Sequence, residues 1–185
     1  MTTYNIAEQQ YISDLSARTA SNELQLLHCA LGVASEYSEL MAAIIKVDTV
    51  NILEEIGDMA WYIAMGIRTM PREFNINDYK GDHSINCTAE LRDLVSDIAD
   101  VAKRAHFYAK PDYDRLGLTL KKFWFLLKEL TDLYVTDRNM PIREDAFLFV
   151  LEKNIAKLKV RFPLKFDGDA AVNRDTSAER AELEK

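Results

Sequence analysis

Between Glu23 and Lys46 the apolar residues Leu24, Leu27, Leu31, Ala34, Leu40 and Ile44 recur at helical spacing, with no proline and only Gly32 to interrupt them. A run of that length settles in water as an amphipathic helix whose apolar face must be covered by neighbours. The rest of the chain follows the same pattern. Six glycines and four prolines in 185 residues are about half of average usage, and turn-rich sandwiches and barrels need more of both.

Periodicity predicts a first helix over about residues 5–20 through Ile6, Tyr11, Ile12, Leu15 and Ala20, and a second over 23–46 capped by Ser21 or Asn22. A third runs over 49–69, capped by Asp48 or Thr49 and stopped before Pro71. Further helices are expected over 88–110, 114–137 and 141–161, the last opened by Pro141. Residues 70–87 hold three Asn among charges and turn formers without periodicity and read as a loop, and 167–185 read as a polar, mobile arm with a marginal last helix. The expected fold is all-α: an antiparallel bundle of about six helices forming one domain over residues 1–166.

Composition narrows the partners. Apolar residues make up 48% of the chain and charged residues 29%, enough to bury one core. With 23 basic and 30 acidic residues the net charge is -7, which repels a nucleic-acid backbone, so no nucleic-acid partner is expected. The longest apolar run, Met59 to Ile67, falls short of the ~20 residues of a membrane helix, and Met1 to Asn5 carry no export signal. The expectation is a cytoplasmic chain without a membrane partner, in a host cytoplasm if phage-encoded. Cys29 and Cys87 then read as free thiols.

Glu36 and Glu39 stand three residues apart on the second helix, and Glu55 and Asp58 repeat that spacing on the third. Fifteen residues separate Glu39 from Glu55, enough to finish one helix, turn at Val47 to Thr49 and return antiparallel. Four carboxylates brought together this way repel strongly unless a cation sits among them, and hard oxygen donors suit Mg²⁺ or Mn²⁺. One such pair alone is common on solvated helices. The apolar flanks Ile56, Met59, Trp61 and Tyr62, and a helix-weakening Gly57 beside Asp58, set this one apart and predict close approach of another backbone or a ligand at Gly57.

His28, three turns before Glu39, and Trp61, one turn after Asp58, are candidates for contact with a base or for core packing. An echo of the acid helix occurs 61 residues later: Val33 to Leu40 aligns with Leu94 to Val101, putting Asp97 and Asp100 where Glu36 and Glu39 stand. In that copy Lys121, Lys122 and Phe125 fall at the places of Glu54, Glu55 and Asp58. A degenerate internal duplication and chance similarity both account for the echo. No P-loop is present, and none of the three histidines follows a Glu by three, as a di-iron bundle requires.

With Glu36-xx-Glu39 followed on the next helix by Glu55-xx-Asp58, and with Asn154-xx-Lys157-Leu-xx-Arg161-Phe-Pro163 further on, the chain resembles the MazG-like all-α nucleoside triphosphate pyrophosphohydrolases, the superfamily of the dimeric dUTPases. The resemblance covers residues 5–70 and 145–176, and the 70–140 helical hairpin region is extra relative to small members. It implies that Glu36, Glu39, Glu55 and Asp58 bind Mg²⁺, and that Asn154, Lys157 and Arg161 reach the phosphates, with Arg174 also on the substrate side. Lys46, two turns past Glu39 on the same face, is a further candidate phosphate contact. The implied reaction is metal-dependent hydrolysis of a (deoxy)nucleoside triphosphate, such as the purine nucleotide dGTP, to the monophosphate and pyrophosphate, in a homodimer or homotetramer. The alternative is a non-catalytic helical protein whose apolar faces serve interaction and assembly.

Overall fold

A computed structural model describes residues 21–71, 74–76, 78–79, 81, 86–136, 146–162, 173 and 175–184. Six helices occupy them: α1 (Asn22–Lys46), α2 (Thr49–Arg68), α3 (Cys87–Tyr108), α4 (Tyr113–Thr136), α5 (Ala146–Arg161) and α6 (Thr176–Glu184). There is no strand among the described residues, so the all-α expectation holds. The helix expected over residues 5–20 lies outside the described residues.

Short polar side chains set the helix starts. Asp48 accepts from the Asn51 amide at 3.2 Å to open α2, and Asn86 does the same for Ala89 at 3.2 Å to open α3. Asp112 and Asp175 cap α4 and α6 by accepting from Arg115 and Ala178, each at 3.0 Å. The α1–α2 turn is tight: Val47 alone separates the last residue of α1 from the cap of α2, at φ 56° and ψ 35°. A β-branched residue pays sterically for that left-handed conformation, and its side chain is exposed. Val47→Gly is therefore expected to stabilise the protein by roughly 1 kcal/mol, read as a rise of a few degrees in Tm.

The first four helices close a bundle in which α1 contacts α2 and α3, and α4 contacts α2 and α3. The α1–α3 pair is antiparallel, since the Tyr37 hydroxyl donates to the Thr88 carbonyl at 3.1 Å while Glu23 lies in electrostatic reach of His106 at the other end. Val33, Ile56, Ile63, Ile98, Leu120 and Phe123 are fully buried between the layers. The helices of both hairpins thus share one core. Helix α5 packs across α2 and α4, and α6 packs on α5 and touches α2.

Two regions without helical periodicity or with a marginal helix are packed on the bundle where they are described. The described residues of the linker after α2 meet α4 at four-residue intervals. Phe74 and Met70 lie over Gly117, Lys121 sits 5.2 Å from the centre of the Phe74 ring and 3.5 Å from Asp78, and the Tyr79 ring meets Phe125. The last helix, expected in a mobile arm, is docked: Glu179 is 2% exposed and takes the Arg161 guanidinium, and Arg180 reaches Asn51 and Asp48. A nine-residue helix is marginal alone, and these pairs supply the tertiary anchoring it lacks.

Candidate metal centre

On α1 the spacing of three residues places Glu36 and Glu39 on neighbouring turns, and the short turn at Val47 returns α2 with Glu55 opposite them. One ligand oxygen from each of Glu36, Glu39 and Glu55 lies within 4.8 Å of the others. Burial is graded across the set. Glu55 is buried, Glu36 half-buried and Glu39 exposed, so the cluster opens to solvent on the Glu39 side.

Burial pushes the Glu55 carboxyl up to about 9, helped by its hydrogen bond to Glu36 and by the Asp58 charge. Burial and then Asp58 push Glu36 up to about 7, although its hydrogen bond with Glu55 works the other way. Glu55 thus keeps its proton and donates to Glu36. Three carboxylates that burial and mutual repulsion keep partly protonated form a set of hard oxygen donors whose charge a divalent cation would satisfy, so the donor set fits Mg²⁺ or Mn²⁺.

Asp58, expected as a fourth ligand, stands outside the group of three. Its Oδ1 accepts from Asn154 Nδ2 at 2.8 Å and its Oδ2 from Lys157 Nζ at 2.5 Å. The same lysine donates to Glu54 at 3.2 Å. Lys157 and Asn154 are 0% and 3% exposed, so two of the three α5 side chains expected to reach phosphates are buried and link α5 to α2 instead. Asn154 Oδ1 is buried with no hydrogen-bond partner.

Gly57 explains the approach of α5. A Cβ there would lie 2.7 Å from Asn154 Nδ2 and 2.8 Å from its Cβ, so the close contact expected at this glycine is made by an asparagine side chain rather than by a backbone or ligand. Gly57→Ala is expected to cost about 1–3 kcal/mol by displacing Asn154 from Asp58, measurable by denaturant unfolding.

The remaining candidates fall on either side of this centre. His28 is exposed, and Trp61 and Tyr62 are half-buried. Their rings form one edge-to-face cluster, with His28 5.6 Å from Tyr62 and 6.5 Å from Trp61, and Trp61 4.8 Å from Tyr62. None of the three is a sealed core residue. Arg161, expected at the phosphates, is held by Glu179, its Nε donating to Oε1 at 2.9 Å. Lys46 is the exposed last residue of α1, about 10 Å along the helix from Glu39 by its rise per residue. Arg174 lies outside the described residues.

Sequence reasoning missed Glu54, Tyr62 and Glu179. The doubled acid at Glu54–Glu55 signals the first. Gly32 signals the second, since a Cβ there would lie 2.2 Å from the Tyr62 ring. Glu179 leaves no local signal. The echoed acids of α3 hold no comparable centre: Asp97 and Asp100 both bond Arg115, Asp100 at 2.7 Å, and Asp100 also pairs with Lys103 at 3.0 Å.

Comparison with protein-family models, curated proteins and solved structures finds no match to the chain. No helix among the described residues is long and apolar enough to cross a membrane.

Proposed function

We propose that the chain is a divalent-metal-dependent nucleoside triphosphate pyrophosphohydrolase. The convergence of Glu36, Glu39 and Glu55 from two antiparallel helices carries this reading, and the resemblance of the two motifs to the MazG-like enzymes supports it. A Mg²⁺ or Mn²⁺ ion held by these three carboxylates would supply charge neutralisation for a triphosphate and acidify bound water. Glu39, at the open edge, accepts the proton of the attacking water. The water oxygen bonds to the α-phosphorus while the bond from that phosphorus to the bridging oxygen breaks, giving the monophosphate and pyrophosphate.

Asn154 and Lys157 act in this scheme by holding Asp58 beside the cluster rather than by touching phosphate. Lys46, exposed at the helix end, remains a phosphate contact, and the His28–Trp61 pair offers a base its aromatic surface. Assembly into a homodimer or homotetramer belongs to the same proposal. Its support is the exposure of Leu24 and Leu31 on α1 and of Phe107 and Tyr108 at the end of the neighbouring α3. Light scattering tests it, and a monomeric mass with full activity would refute it.

A pyrophosphate-release assay over NTPs and dNTPs, with Mg²⁺, Mn²⁺ or EDTA, tests the activity. Metal-dependent formation of monophosphate and pyrophosphate is the expected result, and the same panel ranks purine deoxynucleotides such as dGTP against the rest. No turnover of any nucleotide would leave the non-catalytic assembly protein as the better reading.

A further inference from the structure

The second hairpin carries a cavity of its own. A half-open cleft of about 260 Å³ lies between α3, α4 and Tyr79 of the linker. In the sequence echo Asp97 stands at the position of Glu36, while Lys122 and Phe125 stand at those of Glu55 and Asp58, and all three line the cavity. Exchanging two carboxylates for an ammonium and a ring removes the donor set of a divalent metal and leaves a different recognition chemistry.

One wall is aromatic. Tyr79 and Phe125 meet edge to face with centroids 5.6 Å apart, and a Cβ on Gly81 would come within 2.8 Å of Tyr79 and 3.0 Å of Phe125, so the linker backbone clamps the pair. Leu94 and Leu126, both buried, form the apolar floor. The polar lining consists of Glu90, Asp93 and Asp97 as acceptors and Lys122 as donor.

Three acids, Glu90, Asp93 and Asp97, line the cleft against Lys122. Two of the three are paired from outside the lining, Asp93 by Arg92 at 3.1 Å and Asp97 by Arg115. A lining whose acids are largely paired in this way favours neither a phosphate nor a dication. It favours a neutral flat ring with its own donors and acceptors, of a size set by a volume just under the ~300 Å³ where drug-sized sites begin.

We propose that this cavity is a second small-molecule site, for an uncharged nucleobase or nucleoside. The ring packs against Tyr79 and Phe125, ring N–H groups donate to the carboxylates of α3, and a ring carbonyl accepts from Lys122. The site stands apart from the acids of α1 and α2 and does not depend on their activity.

Isothermal titration of the full chain in EDTA with adenosine, guanosine, cytidine and uridine tests it, with guanosine monophosphate and spermidine as charged comparisons. The expected result is binding of at least one nucleoside at one per chain, weakened about tenfold or more by Phe125→Ala through loss of stacking. Lys122→Met, at a half-buried position, should weaken it as well, while His28→Ala and Glu36→Gln leave it unchanged. The Lys122 variant keeps the test decisive if Phe125→Ala does not fold. Absence of binding by all four nucleosides at millimolar concentration would overturn the proposal. So would binding that His28→Ala abolishes and Lys122→Met spares, or a preference for the monophosphate or spermidine.

Discussion

Replacing Lys157 with methionine is expected to lower stability by about 3–5 kcal/mol, because the change leaves two partly buried carboxylates, Asp58 and Glu54, without their cation. In a chain of this length that is a fall of roughly 10 °C in Tm. Burial alone would push the lysine's pKa down, but the Asp58 and Glu54 charges outweigh it and hold it above the ordinary value, so the ammonium persists. Methionine conserves the volume, which separates lost charge from a lost side chain. The companion triple variant, with Asp58→Asn and Glu54→Gln added, should regain most of the loss. Denaturant unfolding measures both, and a loss under about 1 kcal/mol for the single variant would mean that solvent already screens the acids.

Glu55→Gln is expected to abolish metal-dependent pyrophosphate release by about two orders of magnitude or more while leaving the metal-free protein folded. In the metal-free protein burial holds the Glu55 carboxyl at about 9 and Glu36 at about 7, against an ordinary value of 4.5 for each. The folded state then holds more protons than the unfolded state between those values. The stability contributed by these groups is complete below about 4.5, and is lost as pH rises, through about 7 for Glu36 and about 9 for Glu55. Thermal unfolding in EDTA should therefore show Tm falling from pH 5 to 9, with a shallower fall in Glu55→Gln. Metal binding should release protons and tighten as pH rises over the same range. A Tm that stays level in the parent protein, or a Glu55→Gln variant with full activity, would remove Glu55 from the centre.

The helices and the acid pairs were legible because both depend on separations of a few residues. The expected spans 23–46 and 49–69 differ from α1 and α2 by one residue at an end, and of the two expected caps, Asp48 and Thr49, it is Asp48 that caps α2. Rise and twist then carry Glu36, Glu39 and Glu55 to one place without help from the rest of the fold. The basic residues could be recognised by type and order, but their roles could not be read that way. Lys157 and Arg161 sit four residues apart on α5, and either suits a phosphate. Their acids, Asp58 and Glu179, lie 99 residues before the first and 18 after the second.

By itself, the sequence determined the all-α class, the α1–α2 hairpin and the two acid pairs placed on it, four carboxylates of which three converge, since helix period and turn length are local properties of the chain. Only the tertiary structure decided that Asp58 is taken up by Asn154 and Lys157, that His28 stays exposed beside Trp61, and that Lys122 and Phe125 line one cleft. A buried charge must find its counter-ion wherever packing brings one, and although Gly57 marks where α2 admits a neighbour, nothing along either helix says that α5 supplies it.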